Sequence, residues 1–344
     1  MKAVVIHPPH DLRVEDHTPE APGPGQVAVR IRAGGICGSD LHYYRHGGFG
    51  TVRVKEPMIL GHEVAGEVVA AAADVAGLKV GDRVAVNPSR PCGRCRYCAE
   101  GLFNHCEAMR FYGSAMPFPH VQGAFRETLV CEAAQCEIGP PDIPFEELAL
   151  CEPLSVVLHA IGRAGSPAGL RVLVTGCGPI GALAVAVLKH GGAAEIVATD
   201  VVEEPLTLAR RLGATQTIDV ATAPEALAAH AAGKGRFDLL VECSGNGEAI
   251  KAALPTLRPR ARMVQLGIAG GEVPLPLNLV VAKEITLLGS FRFHEEFATA
   301  ARLIGSGEID LKPLLTRTYP VEEAITAFEL AGNRREAMKV HLAF

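Results

Sequence analysis

Arg171 to Asp200, RVLVTGCGPIGALAVAVLKHGGAAEIVATD, constrains the fold of this chain more than any other stretch. Arg171–Thr175 reads as a short buried strand, and Glu195–Thr199 as a second one that ends on Asp200. Between them Gly176, Gly178 and Gly181 fall in G-x-G-x-x-G spacing, and Pro179 and Ile180 open an apolar helix running to Lys189. Each glycine has its own task. Gly176 permits the tight turn, Gly178 lets a pyrophosphate approach the backbone, and Gly181 lets the helix pack on the strand. Unpaired N–H groups at the helix N-terminus face the phosphates, and Asp200 can accept hydrogen bonds from a ribose diol. A glycine-rich turn alone is a common loop. With a strand before it, a helix after it and an acid beyond, it predicts a dinucleotide site, for NAD with NADP also open.

A chain of 344 residues is too long for one ordinary core and reads as two domains. Hydrophobic residues make up 48% and charged ones 21%, a balance that suits a globular protein with a full core. A net charge of -5 leaves no electrostatic footprint for nucleic acid or an anionic membrane. The apolar runs stop short of a membrane span, and Met1–Val14 lacks the pattern of a signal peptide. Ten cysteines without an export signal point to reduced thiols in a cytoplasm, where spaced cysteines bind metal more often than they pair.

Residues 1–150 read as a β-rich domain, all β with Gly- and Pro-rich turns. Strands are expected at Lys2–Ile6, Gln26–Ala33, Glu63–Ala70 and Asp82–Val86. Over residues 151–288 strands and helices alternate, which predicts an α/β domain with a doubly wound parallel sheet. Its strands are expected at 171–175, 195–199, 215–219, 237–242, 262–267 and 285–289. Helices are expected at Glu203–Leu212, Pro224–Ala232 and Gly247–Leu257. Residues 289–344 read as a return to the first domain, with helices at Phe297–Ile304 and Val321–Ala331 and a last strand at Lys339–Phe344.

Two groups of residues can hold metal. Cys92, Cys95, Cys98 and Cys106 stand in C-x2-C-x2-C-x7-C spacing, and four thiolates close a tetrahedral shell, which suits a structural zinc. Cys37 and His62 are a thiolate and an imidazole, and Glu63 and Glu152 are oxygen donors for the same site. A lone Cys or His is more often a core or solvated residue, so the case rests on their company: Ser39 and His42 near Cys37, Gly61 and Gly66 flanking His62-Glu63. Cys131, Cys136, Cys151, Cys177 and Cys243 have no ligand spacing and read as small apolar filler.

In this order the pieces resemble the zinc-dependent medium-chain dehydrogenase/reductase family over essentially the whole chain. Cys37 followed by Gly38-Ser39-Asp40, then Gly61-His62-Glu63 and Glu152-Pro153-Leu154-Ser155, are similar to its polyol (sorbitol) dehydrogenase branch. The resemblance implies a Rossmann domain inserted into a GroES-like catalytic domain, with a structural-zinc lobe at about residues 90–108 and two zinc ions per chain. It implies Cys37 and His62 as ligands of a catalytic zinc, with one of Glu63 and Glu152 as the third and the other held near the metal's water. Ser39 and His42 match a proton relay, and Tyr43 and Arg292 match substrate-pocket positions, with Phe293 where a Tyr is usual. Asp200 matches the residue that selects NAD, and Ser244 ends a strand on the cofactor side. The family often has an Arg five residues after that acid; here the position is Pro205.

Arg110–Met116, Phe118–Val121 and Gly289–Phe293 are similar to members of the branch that interconvert L-idonate and 5-keto-D-gluconate. The expected substrate is a sugar acid or polyol secondary alcohol, L-idonate first. A buried carboxylate needs a paired cation; Arg292 is the first candidate, with Arg110 and His120 as alternates. Sorbitol, xylitol or threonine dehydrogenation are the alternatives within the family. A non-enzymatic NAD-sensing protein is more remote, because it would not need Cys37, His62 and Ser39. Homodimers or homotetramers are usual in the family.

Overall fold

In the computed structural model, which describes residues 1–344, six parallel strands form one sheet. Their order is Gln216–Asp219, Glu195–Asp200, Arg171–Thr175, Phe237–Glu242, Leu257–Gln265, Thr286–Gly289. Chain order reverses between Arg171–Thr175 and Phe237–Glu242, where such sheets open a ligand crevice beyond the strands' carboxyl ends. Helices cover both faces, so the central strands are continuous apolar runs: Val172, Leu173, Val174, Leu239, Leu240 and Val241 are all fully buried. Helix Pro179–His190 starts on proline and ends on Lys189 and His190, where cations meet the negative end of the helix. Helix Glu203–Leu212 lies where its pattern places it, with Glu203 and Glu204 at the start and Gly213 closing it in the left-handed region.

Three expected elements of this domain differ by four or five residues at one end. The helix expected at Pro224–Ala232 is α-helical only to Ala228; a 3-10 segment follows and breaks at Ala232 and Gly233. The helix from Gly247 stops at Ala253, and a 3-10 turn with Pro255 leads into the next strand. That strand begins at Leu257, five residues before the expected 262, because Leu257 already pairs with Phe237 across a register shift. Pro259 and Arg260, the latter with φ 61°, hid this start from a pattern reading.

The other main sheet is mixed, ordered Cys136–Ile138, Arg83–Val86, Glu63–Ala71, Gln26–Gly35, Lys339–Ala343, Leu315–Pro320, with Thr128–Glu132 also on Gln26–Gly35. The chain's last strand pairs His341 with Gly35 and Leu342 with Gly34, so the C-terminal segment does rejoin the N-terminal β-region. This region is not all β, as its texture suggests. Gly38–His46 is an α-helix, and shorter helices occupy Arg96–Ala99 and Phe145–Leu148. The first was hidden because Gly38 and the aromatic pair Tyr43-Tyr44 are poor helix formers. Its end is set by Gly47, at φ 67°. No helix is long and apolar enough to cross a membrane.

Candidate active site

Cys37 is the N-cap of helix Gly38–His46, and Asp40 fixes it there: the buried Asp40 carboxylate accepts from Cys37 N–H (3.0 Å) and from Gly61 N–H (3.2 Å). One carboxylate thus ties the Cys37 turn to the His62 turn. Its Oδ1 also faces His62 Nδ1 at 3.8 Å, within reach of the imidazole's charge. His62 and Glu63 open the strand Glu63–Ala71, and ligand atoms of Cys37, His62 and Glu63 lie within 4.8 Å of one another. Glu152, in the first turn of helix Cys151–Ala164, is buried beside this group but outside that radius.

The donor set fits a divalent cation. Burial, and next the charge of Glu63, push the Cys37 thiol up to about 12. Burial likewise raises Glu152 to about 8, with His62 opposing and Glu63 and Cys37 adding to the rise. Several anionic groups crowd a dry site with too little positive charge, and a metal ion reverses that penalty. Some compensation comes from Lys339 on the last strand, which is buried against Glu63.

Ser39 is half-buried in the helix's first turn, and His42, one turn further along the same face, is exposed. Tyr43 is buried and its hydroxyl accepts from Ala115 N–H at 3.1 Å. Arg292 has φ 54° and lays its guanidinium 4.1 Å over the Phe111 ring, whose other neighbour is the His62 ring at 5.5 Å. Burial lowers Arg292 to about 10, while Glu152 and Tyr43 act to raise it, so both lie within electrostatic reach of the guanidinium. Its one side-chain hydrogen-bond partner is the Met116 sulfur, at 3.4 Å; no carboxylate pairs it.

Three expected pocket residues lie elsewhere. Phe293 follows Arg292 but points into the core, stacked on Phe297 at 5.7 Å. Arg110 precedes Phe111 on a short strand, so alternation turns it away from His62, into a separate polar cavity with Arg90, Tyr112 and Arg126. His120 also lines that cavity, its ring held by Lys55 N–H (2.8 Å) and the Pro117 carbonyl (2.9 Å).

Cys92, Cys95, Cys98 and Cys106 bring their sulfurs within 4.8 Å of one another, with no disulfide among them. This lobe abuts the Arg292 segment. Asn104, buried, donates to the Phe291 carbonyl (2.9 Å), and the Phe103 ring stacks on His294 at 4.0 Å. Nothing in the cysteine spacing pointed to that contact.

At the glycine motif, Gly176 has φ 82° and a Cβ there would meet Ser244 Cα at 2.8 Å. A Cβ on Gly181 would strike the Gly176 carbonyl, whereas one on Gly178 would meet nothing within 4 Å: that side is open to a ligand. Gly178 caps the helix, with Pro179 in its first turn and Ile180 half-buried beside it. Asp200 is buried at the end of its strand, and Ser244 follows Phe237–Glu242, on the far side of Arg171–Thr175. The sequence reading missed Glu242, fully buried at the switch point, which gathers the N–H of Ser244 (2.8 Å), that of Gly245 (3.0 Å) and the Gln265 amide.

Residues 23–141 match the alcohol dehydrogenase GroES-like domain, and residues 179–306 match the zinc-binding dehydrogenase domain. The chain is 44% identical over 318 residues to the L-idonate 5-dehydrogenase (NAD(P)(+)) of Escherichia coli K12, covering 92% of this chain and 91% of that protein. It is 38% identical over 343 residues to the sorbitol dehydrogenase of Gallus gallus, covering 99% of this chain and 95% of that one. The crystal structure of L-idonate 5-dehydrogenase from Escherichia coli K-12 superposes with a TM-score of 0.93 at 40% identity, over 100% of this chain and 98% of that chain. Matched domains, identity along nearly the full length and a shared architecture agree: the chain belongs to the zinc-binding medium-chain dehydrogenase family.

Proposed function

We propose that the chain is a cytoplasmic NAD(P)-dependent dehydrogenase of sugar acids, interconverting L-idonate and 5-keto-D-gluconate. The observation that carries the substrate class is Arg292, a half-buried cation over the Phe111 ring whose one side-chain hydrogen-bond partner is the Met116 sulfur and which no carboxylate pairs. A sugar acid brings that partner. Identity to a protein named L-idonate 5-dehydrogenase supports the same choice.

Cys37, His62 and Glu63 would hold the catalytic zinc, with Glu152 beside it, and the four lobe cysteines a structural one. Bound zinc would supply Lewis acidity toward the substrate hydroxyl, and a bound nicotinamide would supply the hydride acceptor. Ser39 would take the hydroxyl proton at Oγ. His42 stands at the exposed end of the same helix face and passes a proton to solvent. Partial shielding of the ring from water, with the charges of His46 and Arg45, holds His42 below the ordinary histidine range, so it is neutral and able to accept. Arg292 and Tyr43 orient the carboxylate end of the substrate.

Sorbitol is the competing substrate, favoured by identity to a sorbitol dehydrogenase along 99% of the chain. Steady-state rates of NAD(P)H formation by zinc-replete protein, with L-idonate, sorbitol, xylitol and threonine, separate these readings. The proposal expects kcat/KM for L-idonate at least roughly tenfold above the others. Sorbitol as the better substrate would reject it.

A homodimer, single or paired into a tetramer, fits the outer strand of the parallel sheet. Thr286–Gly289 has a neighbour on one side only, and Leu277, Val281 and Leu287 are exposed around it. Val281→Glu should shift the sedimentation coefficient to that of a monomer; no shift would place the interface elsewhere.

A further inference from the structure

Asp200, read as the acceptor for the adenosine ribose, has no free acceptor position. Its Oδ1 takes the N–H groups of Val201 (2.7 Å) and Val202 (3.2 Å). Its Oδ2 takes Cys177 N–H (2.7 Å) and Arg334 Nη2 (2.6 Å). A carboxylate offers about four lone-pair sites, so these donors saturate it. Three of the donors are backbone amides of the strand end and the glycine loop, and cannot leave without breaking the turn. Arg334 can. Its side chain is half exposed, and it stands on the connection between helix Ala324–Ala331 and the last strand, outside the nucleotide-binding sheet. Val201–Pro205, the stretch after Asp200, holds no Lys or Arg and carries two acids, Glu203 and Glu204. The cation at this end of the crevice therefore comes from a distant part of the chain.

We propose that Arg334 sets the balance between NAD and NADP, an inference that rests on the glycine motif being the dinucleotide site. A ribose 2′-hydroxyl needs an acceptor on Asp200, so NAD has to displace the guanidinium from Oδ2. A 2′-phosphate needs a cation instead. For NADP, Arg334 stays beside Asp200, offsets its charge, and turns its remaining N–H groups to the phosphate. Asp200 without such a neighbour would repel that phosphate. One half-exposed side chain thus opens the site to both coenzymes, where the acid alone would select NAD.

The test is equilibrium binding to the full-length zinc-replete protein, following NADH and NADPH fluorescence and the heat of binding of 2′,5′-ADP and 5′-ADP. Arg334→Ala should move the ratio of the NADPH and NADH dissociation constants roughly tenfold or more toward NADH, with a matching loss for 2′,5′-ADP against 5′-ADP. Arg334→Lys should keep most of the original ratio. Equal weakening of both coenzymes, or an unchanged ratio at an unchanged melting temperature, overturns the proposal. If the unaltered protein binds neither coenzyme, the dinucleotide reading fails and this inference fails with it.

Discussion

Lys339 and Glu63 form an ion pair with almost no access to water: the ammonium meets Glu63 Oε2 and also donates to the Ile36 carbonyl at 3.3 Å. Burial works against the charge on Lys339, but Glu63 and then Cys37 outweigh it and hold the ammonium above the ordinary lysine range. A carboxylate can give one oxygen to an ammonium and the other to a metal, so the pair fixes Glu63 without barring it from a ligand role. Removing one partner leaves a buried charge alone. Lys339→Met should cost about 3–5 kcal/mol of stability in the metal-free protein, measured by denaturant unfolding, and adding Glu63→Gln should recover most of it. A single-variant loss below about 1 kcal/mol would mean that water or protonation of Glu63 takes over the compensation.

Asn104 links the cysteine lobe to the Arg292 segment. Its amide holds the Phe291 carbonyl, one residue before Arg292. Loss of one such hydrogen bond is worth about 1 kcal/mol, or roughly fivefold. Asn104→Ala should therefore raise KM for L-idonate about fivefold with kcat little changed, and removal of the lobe's metal by Cys98→Ser should do the same or more. An effect on kcat alone would place the lobe's influence elsewhere.

What could be read from the sequence was local. The glycine motif and the cysteine spacing each put all their chemistry within one turn or loop, where residue spacing reports geometry directly. Asp40 was partly legible, since it stands three residues after the cap Cys37, the spacing of a capping box. Lys339, Arg334 and Asn104 were not. Each reaches its partner through tertiary folding, Arg334 to Asp200 across 134 residues and Asn104 to Phe291 across 187. Phe293 and Arg110 were misplaced for the converse reason: each neighbours a residue that faces the site, and the backbone turns it away, by strand alternation at Arg110 and after the positive φ of Arg292 at Phe293.

Arg292 is the residue expected to separate sugar acids from polyols. If it pairs the substrate's carboxylate, Arg292→Ala forfeits a charge-assisted contact of about 1.5–3 kcal/mol, a loss of roughly 10- to 150-fold in kcat/KM for L-idonate. Sorbitol, lacking the carboxylate, should lose less than about fivefold. Comparable losses for both would make Arg292 a hydroxyl-binding residue, and the preference for an acid would need another source.

His341 gives the protein an acid-sensitive component that owes nothing to catalysis. It is buried on the last strand with no hydrogen-bond partner for Nε2. Burial first, and then the charge of Lys339, lower it from 6.5 to about 3. The folded protein therefore keeps the imidazole neutral, while the unfolded chain takes up a proton below its ordinary pKa. The stabilising contribution is complete above about pH 6.5 and is lost as pH falls toward 3, because the unfolded state binds more protons across that window. By pH 5 the difference amounts to about 2 kcal/mol. His341→Leu keeps an apolar side chain there and has nothing to titrate. Between about pH 7.5 and 5 its unfolding free energy should fall by about 2 kcal/mol less than that of the unaltered protein. Parallel pH profiles for the two proteins would assign the acid lability to the metal ligands instead.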